Sequence, residues 1–241
     1  MKLLDRQPGE KARAYAIRVL LYNITTLELP PGSSVSENEL SALMDLSRTP
    51  VREALIELSR LDLVEILPQR GSYISKIDYG LIEESRFMRL VLETAVVKLI
   101  CQKGISPQYM AQLEENLAEE EKYSDSEDFS IQLELDNRFH QLLFESVGKS
   151  WTFDVIYSQM VHFDRLRILS LKSWKDARTV KDHQNILYAI RQRDSELAEM
   201  LITRHLTRFQ IEKTELTKRY PDYFTVSPIQ TETEGVAKSS N

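Results

Sequence analysis

The sequence predicts a mainly α-helical chain: a winged helix-turn-helix at the N-terminus, followed by an all-α helical bundle. Three observations carry that reading. Over residues 1–76, three short helical patterns lead into an alternating apolar stretch with a turn at Gln69-Arg70-Gly71. After Lys76 the apolar spacing stays helical to about Tyr220. Only seven glycines and eight prolines punctuate 241 residues, which suits helices joined by short connections.

The first helix is read over residues 10–27, with Ala12, Ala16, Val19, Leu20 and Leu27 at helical spacing. "PPGSSVS" stops it. Ser36 followed by Glu39 predicts a capping box that opens the second helix, "ENELSALMD", with apolar positions Leu40, Leu43 and Met44. Beyond the "LSR" turn, Thr49 is expected to cap a third helix with Pro50 in its first position. That helix runs to about Leu61, with Val51, Leu55 and Leu58 facing inward. "LVEILPQRGSYISKI" then reads as two short strands. Helical segments follow at roughly 78–103, 106–123, 126–147, 150–171, 176–192 and 194–219. Breakers separate them at Gly104, Ser106-Pro107, Ser124-Asp125 and Gly148. The domains are expected at 1–76 and 77–220, with a polar tail over 221–241.

Hydrophobic residues make up 42% of the chain, enough for a sizeable core. No run of about 18 apolar residues points to a membrane span. The N-terminal stretch is charged throughout and lacks a small-residue cleavage site, so it reads as neither signal nor transit peptide. The single cysteine, Cys101, lies in the apolar helical run "VVKLICQK" and is expected to be a buried structural thiol. Together these features suggest a reducing cytoplasm. The net charge is −6, yet residues 1–76 hold ten Lys/Arg against ten Asp/Glu, so the remainder carries all of it. Bulk charge gives nucleic-acid binding no support. Such binding must rest on a few well-placed cations.

Arg48 and Arg52, four apart in "LSRTPVREALIEL", stand where the third helix begins and where its dipole disfavours cations. In a helix-turn-helix that end points at base edges in the major groove of double-stranded DNA. Arginine grips guanine O6 and N7 with two bonds, and also grips phosphate. Thr49 can donate to a phosphate, and Arg70 at the hairpin tip can reach the flanking minor groove. The competing reading pairs Arg48 and Arg52 with Glu53 and Glu57. The winged context favours DNA. The stretch "SENELSALMDLSRTPVREALIELSRLDLVEILPQRGSYIS" resembles the DNA-binding domain of GntR-family bacterial transcription regulators, most specifically in "SRTPVREAL" and the "RG" wing. That resemblance implies operator contacts by Arg48, Thr49, Arg52, Arg70 and Gly71. One departure is Asn38, which stands where members of the FadR branch carry a DNA-touching arginine. It keeps a hydrogen-bonding side chain but no charge.

The chain has four histidines: His140, His162, His183 and His205. Asp136 and His140 in "LELDNRFHQLLFE" lie at i and i+4, so a carboxylate and an imidazole on one helix face can share a metal. Chance produces such a pair often, and spacing alone does not bring His183 or His205 alongside. The pattern "D-x-x-F-H", then "H-x-x-I-L-x-A-I", then a late "H-L" resembles the FCD effector domain of the FadR branch, over about Asp78 to Tyr220. The resemblance implies a divalent metal held by Asp136, His140, His183 and His205, with His162 left as structural. Nitrogen and oxygen donors suit zinc first, and also nickel, iron or manganese. The resemblance further implies that Arg89, in "FMRLVLE", binds the carboxylate of a small organic-acid effector. The competing reading is an i, i+4 ion pair between Arg89 and Glu93. Lys149 stands where the family often has asparagine and is expected to alter the pocket rim.

The implied function is a ligand-responsive transcription regulator, in the repressor role commoner among such proteins. It would act as a homodimer, since one winged helix reads only half of a palindrome. A regulator with a purely structural metal and no small effector is the second reading. A metal-dependent enzyme is the remote third, because no residue stands out as a general base and no catalytic residue is assigned.

Overall fold

The computed structural model describes residues 1–174, 178–207 and 213–225. The chain divides into two compact units: residues 1–80 with the segment from Thr217, and Leu81–Leu216. The first unit opens with α1 (Ala12–Thr25), β1 (Ser34–Val35), α2 (Glu37–Met44) and α3 (Arg48–Ser59), and continues with β2 (Val64–Leu67) and β3 (Gly71–Ile74). α1 packs on α3. Ala16, Val19 and Leu20 of the one and Val51, Ala54, Leu55 and Leu58 of the other are buried. Removing this apolar stripe from water is the main force holding the two helices together.

The strands form one antiparallel sheet in the order β1-β3-β2, with Val64 opposite Ile74 and Leu67 opposite Gly71. β1 adds a third strand to the two read from the sequence. Its two residues are too few to show alternation. α2 starts at Glu37 after Ser36, as expected, but the start of α3 differs. α3 begins at Arg48 with Ser47 in the cap position, so Thr49 is already helical. Pro50 sits in the first turn, where a missing N–H costs no intrahelical bond. No side-chain bond completes the capping box at α2. The Ser36 carbonyl accepts the first intrahelical bond, from the Leu40 amide (2.9 Å), as an N-cap does, and Glu39 stays in solvent. Leu43 is 56% exposed, because α2 turns Leu40, Ser41 and Met44 inward.

α2 ends at Asp45, whose φ of 51° is left-handed, and the Leu46 amide donates back to the Ser41 carbonyl (3.0 Å). This closes the tight turn into α3. The wing turn uses Gln69 (φ 61°) and Gly71 (φ 94°). A Cβ added at Gly71 would meet nothing within 4 Å, so the backbone, not crowding, demands glycine there. Gly71→Ala is therefore expected to lower stability by about 1–2 kcal/mol. The check is a lower urea midpoint with an unchanged slope.

The polar tail expected from residue 221 begins as a packed segment. Pro221–Tyr223 form a short 3-10 turn. The Ile77 amide donates to the Tyr223 carbonyl (2.8 Å), and the Thr225 amide donates to Ile77 (3.0 Å). Phe224 is buried and stacks on Tyr79 at 5.0 Å. Burying one aromatic ring outweighs the polarity of its neighbours. The rest of the tail, 226–241, lies outside the described residues.

The second unit is helical. α4 (Tyr79–Lys103), α5 (Pro107–Tyr123), α6 (Phe129–Ser146) and α7 (Ser150–Ser158) are followed by α8 (Val161–Ser173), α9 (Arg178–Arg191), α10 (Ser195–Thr207) and α11 (Lys213–Arg219). Its core gathers Val97, Ile100, Phe139, Phe144, Ile186 and Ile202, with Cys101 buried beside them. Burial pushes the Cys101 thiol pKa up, away from reactivity. The segment expected over 150–171 is two helices, broken at Gln159-Met160 where the sequence carries neither glycine nor proline. The segment expected over 194–219 comprises α10 and α11, and 208–212 between them lie outside the described residues. Among the described residues, no helix is long and apolar enough to cross a membrane.

Candidate functional site

Arg48, Thr49 and Arg52 are exposed at the start of α3, and Asn38 is exposed at the start of α2. Arg70 and Gly71 are exposed at the tip of the wing, where the Tyr73 hydroxyl donates to the Arg70 carbonyl (3.2 Å). Arg48 and Arg52 face Glu37 of α2, with Nη2 to Oε2 at 3.4 Å and Nε to Oε1 at 4.0 Å. Their expected rivals are placed otherwise, and Glu57 pairs with Arg13. The two arginine side chains are 68% and 71% exposed, so solvent screens these contacts and leaves both guanidiniums available to another anion.

In the second unit α6 carries Asp136 and His140, α9 carries His183 and α10 carries His205. All four are buried, and one donor atom of each lies within 4.8 Å of the others. Packing of α5 on α6, α5 on α9 and α9 on α10 achieves what sequence spacing could not show. His183 Nε2 is 3.4 Å from His205 Nε2 and 3.7 Å from Asp136 Oδ1. His140 Nε2 is 3.7 Å from Asp136 Oδ2. Two donors bound at about 2.1 Å to one ion stand about 3.0–3.4 Å apart, so little closure is needed. Among the described residues, His140 Nε2 has no hydrogen-bond partner, although it is buried. Such orphaned atoms are rare and costly, and a metal ligand is one way to be satisfied. The residues present therefore fit a metal.

Each imidazole also turns Nδ1 to a carboxylate. His140 faces Glu93 (2.5 Å), His183 faces Glu120 (2.8 Å) and His205 faces Asp182 (3.6 Å). The His183–Glu120 contact is a hydrogen bond, and Glu93 and Asp182 stand beside Nδ1 of the other two rings. Outer carboxylates of this kind fix the tautomer that presents Nε2 to an ion. Burial and the nearby Arg89 hold His140 well below the ordinary imidazole pKa, and burial brings His205 to about 4. His183 rises against its burial because Glu120 is beside it. Asp136 falls far below the usual carboxylate against its burial, through Arg167 first. An ionised carboxylate and neutral imidazoles at His140 and His205 are the states a metal requires.

Arg89 takes the i, i+4 contact of the competing reading and also reaches a pocket wall. It pairs with Glu93, and its Nη2 is 3.7 Å from Asp136 Oδ2. It also lines a pocket of about 860 Å³, open mouth included, together with Arg86, Arg167, Gln132, Asp136 and His205. Arg167 of α8 is absent from the sequence reading. It pairs with Asp136, with Asp164 (3.0 Å) and with Asn137 (2.7 Å). The signal available was Asp164-x-x-Arg167, two opposite charges on one face of α8. Lys149 does not line this pocket. It is exposed at the α6–α7 turn, so its expected effect on the rim is corrected. His162 lies on α8 outside the four-residue cluster.

Residues 16–74 match the family described as bacterial regulatory proteins, gntR family, and residues 84–208 match the FCD domain. The HTH-type transcriptional repressor RspR of Escherichia coli (strain K12) is 30% identical over 218 residues, covering 90% of this chain and 95% of that protein. An uncharacterized HTH-type transcriptional regulator in an unstable DNA locus of Streptomyces ambofaciens is 35% identical over 185 residues, 76% of this chain and 77% of its own. The solved structure of E. coli McbR/YncC shares the fold, with a TM-score of 0.71 at 18% identity over 88% of this chain and 99% of that one.

Proposed function

Because this chain belongs to the GntR family of bacterial regulatory proteins, DNA-binding transcription regulators rather than enzymes, and carries an FCD domain, we propose that it is a FadR-branch repressor controlled by a small organic or sugar acid. The acid binds at the cluster of Asp136, His140, His183 and His205. The observation that carries this reading is the convergence of those four donors beside a pocket that also holds Arg89 and Arg167. Arg48, Thr49 and Arg52, with Asn38, Arg70 and Gly71, grip a double-stranded DNA operator. RspR, a relative named as a repressor, supports that role.

A metal at the cluster, zinc before nickel, iron or manganese, supplies a Lewis-acidic point that can share an effector carboxylate. Arg89 and Arg167 supply guanidinium donors for the same group. Both start paired with acids on the protein, Glu93 for the one and Asp136 and Asp164 for the other. An incoming carboxylate exchanges one partner for another, which ties occupancy of the pocket to the packing of α4, α6 and α8. The acid moves operator affinity only as far as it binds one arrangement of the protein better than another.

The protein acts in the cytoplasm as a homodimer. Phe87 and Val91 on α4 and Trp151 and Val155 on α7 are exposed apolar pairs four residues apart, suited to a second copy. A second reading keeps the metal as purely structural, favoured by the burial of all four ligands. A thermal-shift screen separates the two. A matching acid at 100 times its Kd adds about 2.7 kcal/mol to the metal-loaded protein. The shift should vanish in Arg89→Ala and on metal removal. No response across organic and sugar acids favours the structural metal.

A further inference from the structure

Glu93 is buried on α4, belongs to neither the four-ligand cluster nor the wall of the acid pocket, and yet reaches towards both. Its Oε1 accepts from Arg89 Nε, one helical turn earlier. Its Oε2 lies 2.5 Å from His140 Nδ1, on α6. We propose that Glu93 is a positioning residue that couples the acid pocket to the metal centre. This rests on the roles given above to Arg89 and His140.

The argument runs through protons and charge. A neutral imidazole carries one ring proton, and a carboxylate beside Nδ1 keeps it there. The lone pair is then on Nε2, the nitrogen nearer Asp136. On its other oxygen Glu93 anchors Arg89 through Nε, while Arg89 Nη2, 3.7 Å from Asp136 Oδ2 and without a hydrogen-bond partner among the described residues, is the end that can turn to an incoming carboxylate. An acid that takes Arg89 shares its positive charge, so Glu93 becomes a stronger acceptor for His140. Metal and acid therefore favour one another, and by linkage each raises the other's affinity by the same factor.

The test uses the full chain with zinc alone as the probe. Zinc affinity is measured by competition with a chelator, and the imidazole tautomers by ¹⁵N–¹H spectra of the metal-free protein. Glu93→Gln is expected to weaken zinc about 10–100-fold, the range for outer-shell partners of a ligand. It should also move His140 from the Nδ1–H towards the Nε2–H form. Arg89→Ala should change zinc affinity by itself, and its effect should shrink when combined with Glu93→Gln, as for residues acting through one contact. Additive effects of the two would overturn the coupling. Wild-type zinc affinity and tautomer in Glu93→Gln, with zinc lost in His140→Ala, would overturn the role of Glu93 and leave the metal reading standing. Unchanged zinc affinity in His140→Ala would overturn the metal reading itself. If Glu93→Gln does not fold, Glu93→Asp keeps the charge but shortens the reach. It should weaken zinc as well, and wild-type affinity there would overturn the proposal.

Discussion

His183→Ala is expected to strip the metal and leave the DNA-binding unit folded. His183 is fully buried, stacks on Phe139 at 4.0 Å and is the imidazole nearest to two other donors. Its loss removes one of the four donors and leaves Glu120 Oε2 buried without its imidazole, with Asn116 still donating to Oε1. Metal content by elemental analysis should fall from about one ion per chain to near none. The gain in melting temperature on adding zinc should go with it. The first unit has its own core around Leu20, Val51 and Leu58, so its helical signal and its DNA binding should persist. A variant that keeps its full metal content would sink the ligand assignment.

Arg52→Ala is expected to cost about 1–3 kcal/mol of operator binding if the side chain grips guanine. The fold should tolerate the change, because Arg52 is mostly exposed and its nearest acid, Glu37, is 4.0 Å away. Comparing a duplex selected from random DNA with an unrelated one tells the two roles apart. A loss confined to the selected duplex means base reading. An equal loss on both, with a salt slope shallower by about one, means that Arg52 holds phosphate.

The parts of the molecule legible in its sequence are those set by local spacing. Apolar periodicity marked α1, α3 and the long helices of the second unit, and glycine at 71 marked the wing. What failed was decided elsewhere in the fold. β1 exists only because β3 offers it an edge. The break between α7 and α8 has no glycine or proline to mark it. Ser36 and Glu39 had the pattern of a capping box, and Ser36 does cap α2, but without a side-chain bond and with Glu39 in solvent. The site divides in the same way. Asp136 and His140 share a helix face and could be read as a pair. His183 and His205 came only from resemblance, since nothing in their spacing ties α9 and α10 to α6. Glu120, Asp182 and Arg167 were missed, and Glu93 was read only as a partner of Arg89, because each meets its histidine or aspartate across a helix boundary.

The most direct measurement is the operator affinity of the metal-loaded full chain, with and without an acid that raises its melting temperature. A change of about 5–150-fold in Kd, abolished by Arg89→Ala, is expected for a regulator in which acid and DNA are linked. An acid that binds and stabilises the protein but leaves operator affinity within about twofold would contradict that linkage.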